Sequence, residues 1–294
     1  MLPEPSKADV EPSPPRIQCA EVWGGNHTVH TPVALPGLRG MLFSRGCTGG
    51  RGGDLHYLSM CGSGLLSRVC IADVVGHGDE VAGVGREIHA LLRRHTNWPD
   101  HRRMLRHLNR SLVERGLKAL TTAAVLTYYP PSQRLSFSYA GHPPGWYYST
   151  ESRAWCRLTN DRSSDKDDDG PITDCPLAVV PDAEFSRAKL RPNLGDRLLL
   201  ITDGVLEAMD SENRHFGAER VARLLVDHRD SEMEEIADAL LGSLTEHVGS
   251  DDFWHDDLSF LLLEFTPAPP GPALWHVVRN RVLRPLGLAS APNG

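Results

Sequence analysis

The chain has 294 residues, 40% of them hydrophobic and 23% charged, a balance that fits a soluble globular protein and excludes wholesale disorder. With 31 Lys and Arg against 38 Asp and Glu, the formal charge is -7, which argues against a nucleic-acid backbone or an anionic membrane as the main partner. Cys19, Cys47, Cys61, Cys70, Cys156 and Cys175 are scattered with no C-x-x-C pair, so reduced thiols are expected rather than a zinc knuckle or a disulfide framework. The N-terminal residues lack the apolar run of a signal peptide, and no stretch approaches ~20 consecutive apolar residues. A soluble, cytoplasmic protein is expected.

Residues 1–19, rich in Pro, Glu and Ser, are expected to form a disordered lead-in. The run 68–75 is apolar and β-branched up to Asp73 and reads as a strand that stops at Gly76. Val84, Ile88, Leu91 and Leu92 share one face of a helix over 79–95, and Met104, Leu105, Leu108 and Leu112 do the same over 100–115. Segments 123–129 and 134–140 flank Pro130-Pro-Ser-Gln133 and predict a β-hairpin. Further strands are expected at 197–203 and 258–265, with helices near 218–226 and 232–247. Consecutive strands with no helix between them predict antiparallel sheets. One domain over 20–266 follows, and 267–294 reads as a Pro-rich linker and tail with a short amphipathic basic helix. The acidic stretch 161–170 reads as a solvated loop.

The chemistry concentrates in aspartates that stand beside apolar runs. Asp54 ends Gly52-Gly-Asp54, Asp73 lies in Ile71-Ala-Asp-Val-Val-Gly-His-Gly78, Asp203 ends Leu198-Leu-Leu-Ile-Thr-Asp203, and Asp256 and Asp257 open the last strand. A carboxylate beside a buried strand is costly unless paired, hydrogen-bonded or metal-bound. One alone reads as a turn cap. Several entering one core point to hard divalent cations, which take carboxylate, carbonyl and water ligands. Glycines beside Asp54, Asp73 and Asp203, Gly204 among them, permit tight turns and close approach. His77, four residues past Asp73, is a candidate proton carrier. His142, in Tyr139-Ala-Gly-His-Pro-Pro144, is either an acid/base or phosphate-contacting group or a structural turn residue. The glycine-rich stretch 46–53 lacks the order of a P-loop.

Taken in order, Gly-Gly-Asp54, Asp73-Val-Val-Gly-His-Gly78, Ala140-Gly-His-Pro-Pro144, Thr202-Asp-Gly-Val-Leu-Glu-Ala208 and Asp256-Asp-Leu-Ser-Phe260 resemble the PPM-type (type 2C) serine/threonine phosphatases, in the SpoIIE-like branch of bacterial partner-switching systems. The resemblance covers about residues 45–265. It implies an α+β fold, a four-layer α/β/β/α sandwich of two antiparallel sheets flanked by helices. It also implies two Mn²⁺ or Mg²⁺ ions bridged by Asp73, with the Val74 backbone carbonyl as a further ligand. Asp203 and Asp256 would hold one ion, Asp54 would serve the other directly or through water, and Asp257 would stand as a helper. A phosphorylated regulatory protein of the anti-anti-sigma type is the implied substrate. A non-catalytic binding module of the same fold and a small-phosphoester hydrolase are the alternatives. The branch commonly has aromatics where Leu55 and His56 stand, and a glycine where this chain has Ala178. About 40 residues precede the motifs, too few for a sensor domain, so a regulatory partner or a dimer is expected to supply control.

Overall fold

The computed structural model describes residues 21–24, 28–47, 52–61, 66–76, 79–95, 100–160, 174–249 and 256–267. The expected disordered lead-in, the acidic stretch 161–170 and the tail helix lie outside the described residues. Five strands come first: β1 (Glu21–Gly24), β2 (Val29–Leu35), β3 (Leu38–Arg45), β4 (Asp54–Cys61) and β5 (Leu66–Val74). Helices α1 (Asp79–His95) and α2 (His101–Val113) follow, then β6 (Thr121–Tyr129) and β7 (Arg134–Ala140). Next come β8 (Gly145–Ser149), β9 (Ala154–Leu158), β10 (Ala188–Leu190) and β11 (Arg197–Ile201). The short helix α3 (Asp203–Glu207), helices α4 (Gly217–Asp227) and α5 (Met233–Val248), and strand β12 (Leu258–Phe265) complete the chain.

One sheet has the order β1-β4-β5-β6-β7-β10 and the other β2-β3-β12-β11-β8-β9, with antiparallel pairing between these strands. The hairpin forms as expected, with Tyr129 opposite Arg134 and Gln133 left-handed at φ 48°. The strand expected to run to Asp203 ends at Ile201 instead, because the next residues turn into α3, a helix too short to leave a 3.6-residue pattern.

Period-two alternation sorts the strand residues into layers. On β5, Cys70, Ala72 and Val74 face α1 and α2, where they pack with Val84, Ile88, Leu105 and Leu108. Val69 and Ile71 face the other way and meet Leu42, Leu198, Leu200 and Leu261 of the second sheet. The outer side of that second sheet, with Leu199, Ile201 and Phe260, is covered by Val221 and Leu225 of α4 and Ile236 and Leu240 of α5. Three apolar layers thus separate four structural ones, the α/β/β/α sandwich.

Polar residues tie the helices to this frame. Arg68 is only 1% exposed; its Nε donates to Thr127 Oγ1 at 3.2 Å and its Nη1 to the His95 carbonyl at 3.3 Å, which joins the end of α1 to the first sheet. Asn109 of α2 is fully buried and clamps the turn after Leu177. Its Nδ2 donates to the Val180 and Pro181 carbonyls at 2.7 and 3.1 Å, and its Oδ1 accepts from the Ala178 N–H at 2.9 Å. Ala178 sits at φ 69°, a left-handed conformation that favours glycine, which explains why the related branch commonly has glycine here. The clamp holds the alanine in that strained state. Asn109→Ala is expected to cost about 3 kcal/mol, roughly 1 kcal/mol per lost hydrogen bond. Asn109→Asp, which replaces both donors with a buried carboxylate oxygen facing the two carbonyls, is expected to cost at least as much. Chemical denaturation of the two variants beside wild type measures both.

Candidate active site

Alternation carries Asp73 and Asp54 to the inner face of the first sheet. Asp73 continues the Val69-Ile71 row of β5, and Asp54 stands directly opposite it on β4. Thr122 of β6 is the partner of Asp73 on its other side. From the second sheet, Asp203 arrives at the start of α3, just past β11, and Asp256 just before β12. These four carboxylates therefore meet at one end of the sandwich, contributed by both sheets.

Their environment is hostile to charge. Burial, and then Asp73, push the Asp54 carboxyl well above the ordinary carboxylate range, against opposing hydrogen bonds from Ser259 and Thr202. Burial pushes Asp73 up to about 7, with Asp203, Asp256, Asp257 and Glu207 adding to it. Asp203 is raised by burial and by Glu207, while the backbone N–H groups of Asp203 and Gly204 oppose the shift. Asp256 is raised by burial and by Asp203 and Asp257, against the Asp257 N–H. For Asp73 the penalty on the ionised form is on the order of 4 kcal/mol. A hydrogen bond to a charged group contributes about 1.5–3 kcal/mol, so a single one does not offset it. A divalent cation would.

The donor set fits such ions. It is made of oxygen, and the three oxygens of Val74 O, Asp73 Oδ1 and Gly76 O converge over Gly53. A side chain at 53 would overlap the Val74 carbonyl and come within 3.1 Å of the other two. Among the described residues no three His, Cys, Asp or Glu side chains are drawn into a closed cage.

Asp257 does different work from its neighbour. It is 3% exposed; Oδ1 accepts from the Cys47 N–H at 2.8 Å, and Oδ2 accepts from the N–H groups of Gly53 and Asp54. It thereby fastens the turn that carries Asp54 to the start of β12. Asp256 Oδ1 accepts only the adjacent Asp257 N–H, at 2.8 Å, among the hydrogen bonds of the described residues. Between these two expected site residues, the geometry gives Asp257 the supporting part and leaves Asp256 to face the carboxylates.

His142 is 4% exposed, and burial lowers its pKa to about 3. Its Nδ1 lies 2.9 Å from Thr122 Oγ1, and its Nε2 is buried without a hydrogen bond. It lies beside Thr122, the cross-strand partner of Asp73. His77 lies outside the described residues. Two residues near the site escaped the sequence analysis. Glu207 stands one turn after Asp203 and adds to its charge, a spacing of four that could have flagged it. Thr202 donates from Oγ1 to Asp54 Oδ2 at 2.8 Å, a contact across 148 residues that no local pattern announces.

Gly204 owes its identity to this packing. A Cβ there would overlap the Asp257 carbonyl oxygen and lie 3.6 Å from Asp256 Cβ. Gly204→Ala is expected to destabilise the protein by about 2 kcal/mol through overpacking, as read by thermal unfolding.

Comparison with known proteins places this arrangement. A family model described as Stage II sporulation protein E (SpoIIE) matches residues 66–266. Phosphoserine phosphatase RsbP of Bacillus subtilis (strain 168) is 28% identical over 207 residues, which cover 67% of this chain and 45% of that protein. Phosphoserine phosphatase RsbU of the same organism is 26% identical over 199 residues, 66% of this chain and 54% of that one. The chain thus spans about half the length of these curated relatives. The crystal structure of the RsbU and RsbW domains of Rv1364c from Mycobacterium tuberculosis superposes with a TM-score of 0.64 at 20% identity, over 83% of this chain and 64% of that one. At that identity the likeness speaks to the fold. The match begins at Leu66, after Asp54, so Asp54 rests on its register opposite Asp73. With about two thirds of its length matched, the chain belongs to the SpoIIE family of PPM-type phosphatases.

Proposed function

We propose that the protein is a metal-dependent serine/threonine phosphatase acting on a phosphorylated regulatory protein of the anti-anti-sigma type. The observation that carries this reading is the convergence of Asp54, Asp73, Asp203 and Asp256 from two sheets, with Asp73 pushed up by burial and acidic neighbours. The related proteins named phosphoserine phosphatases support the reaction class. Residues 20–266 form the catalytic domain in this reading, with its first strand at Glu21 and its last ending at Phe265.

In this reading Asp73 would serve both ions, the Val74 carbonyl would add a ligand, Asp203 and Asp256 would hold one ion, and Asp54 would serve the other directly or through water. When bound, two Mn²⁺ or Mg²⁺ ions supply the Lewis acidity that readies a water for in-line attack on phosphorus and neutralises the phosphoryl charge. The protein's own part is to hold these carboxylates in place at the edge of the sandwich, where a phosphoserine or phosphothreonine side chain can reach them. Asp257 holds the Asp54 turn in register. His77 is the proposed proton source for the leaving oxygen.

With Mn²⁺, the purified chain is expected to release p-nitrophenol from p-nitrophenyl phosphate, and EDTA to stop the release. Asp73→Asn is expected to lower kcat/KM by more than the roughly hundredfold that loss of even an outer-shell metal contact can cost. Turnover that survives both treatments overturns the mechanism. Mn²⁺ binding and turnover both absent identify a binding module instead. A phosphoserine peptide with a higher kcat/KM than p-nitrophenyl phosphate supports the protein substrate, and the reverse order assigns a small phosphoester.

A further inference from the structure

Thr202 occupies the N-cap position of α3, where a threonine hydroxyl ordinarily accepts a hydrogen bond from the first turn of the helix. It makes no such bond. The fully buried hydroxyl instead reaches Asp54 Oδ2 on the opposite sheet at 2.8 Å, nearer than the Ser259 carbonyl at 3.3 Å, and accepts the Ser259 N–H at 3.0 Å. The Thr202 N–H also donates to the Ser259 carbonyl at 3.0 Å, so its backbone is pinned to β12. Asp203, the next residue, is one of the converging carboxylates, and its position follows from that pinned backbone.

We propose that Thr202 is a positioning residue, whose hydroxyl orients Asp54 for its ion while its backbone sets Asp203 for the other. The proposal rests on the metal-dependent reading above and deepens it. The geometry makes the role specific. Asp54 is 1% exposed on one sheet, and Asp203 starts α3 just past β11 of the other. The Thr202 hydroxyl donates across the sheets to Asp54 Oδ2, and Ser259 of β12 adds a second side-chain hydrogen bond to the same carboxylate. A hydroxyl diverted from capping its own helix to a carboxylate across the sandwich supports the arrangement of that carboxylate.

Isothermal titration of the full chain with Mn²⁺, beside thermal unfolding of the metal-free protein, tests this. Thr202→Val keeps the shape and removes the hydroxyl; it is expected to weaken Mn²⁺ binding at one site about tenfold or more. Thr202→Ser is expected to restore binding to within about twofold of wild type, since the hydroxyl is all that acts. Because Thr202 works through Asp54, the double variant T202V/D54N should bind Mn²⁺ no more weakly than D54N alone. Thr202→Ala takes the place of the valine variant if the latter does not unfold cooperatively. Wild-type affinity in Thr202→Val, a serine variant as weak as the valine one, or additive losses in the double variant would each overturn the proposal while leaving the phosphatase reading intact. A change in metal-free thermal stability with unaltered Mn²⁺ affinity would assign Thr202 a structural role alone and likewise overturn it. Failure of the wild-type chain to bind Mn²⁺ would instead remove the metal-dependent reading on which the proposal stands.

Discussion

Mutual repulsion among carboxylates, from the buried Asp54 through the half-buried Asp73 and Asp203 to the exposed Asp256, is the constraint around which this molecule is organised. Asp54, Asp73, Asp203 and Asp256 are brought to one end of two stacked sheets, where desolvation and neighbouring carboxylates, Glu207 in the case of Asp203, raise their pKa values. Left to relax, such groups would move apart or take up protons. The sandwich resists that movement because each carboxylate is attached to a strand end or turn whose backbone is committed to a ladder. Asp54 and Asp73 face each other across a β4–β5 ladder that continues to the far ends of both strands. The energy that keeps the carboxylates together therefore comes from the apolar layers, in which Ile71, Leu200, Leu261 and their neighbours are almost wholly buried.

A second set of contacts refines that placement. Asp257 uses its charge on backbone N–H groups, where an ionised acceptor makes short, strong hydrogen bonds. The adjacent Asp256 is left for the open end of the sandwich. Two neighbouring aspartates thus acquire different work from their surroundings, not from their chemistry. The glycines are part of the same economy of space. Gly53 leaves room for converging oxygens, and Gly204 lets the start of α3 pass against the Asp257 carbonyl.

The far sides of the sandwich have simpler tasks. Helices α1 and α2 cover the first sheet and α4 and α5 the second, each through an apolar face that period and composition already display. Asn109 and Arg68 add polar fastenings under the first pair, and a capping box of Glu232 and Glu235 starts α5, which ends at Gly249 with φ 74°. Among the described residues no helix is long and apolar enough to cross a membrane, and Cys47, Cys70, Cys156 and Cys175 are free thiols.

Much of this was legible in the chain itself. The helices around Val84 and Leu105, the 123–140 hairpin and the final strand follow from hydrophobic period and turn residues, because those signals act over a few residues. Antiparallel sheets follow from strands with no helices between them. The aspartates were conspicuous because charge beside buried strands demands a partner. What the sequence alone could not decide is which atoms those aspartates meet. The placement of Asp54 opposite Asp73, the different hydrogen bonding of Asp256 and Asp257, the burial of His142 beside Thr122 and the Thr202–Asp54 hydrogen bond all join distant segments. They depend on how two sheets stack and in what register, which is set by the packing of the whole core and by no local period.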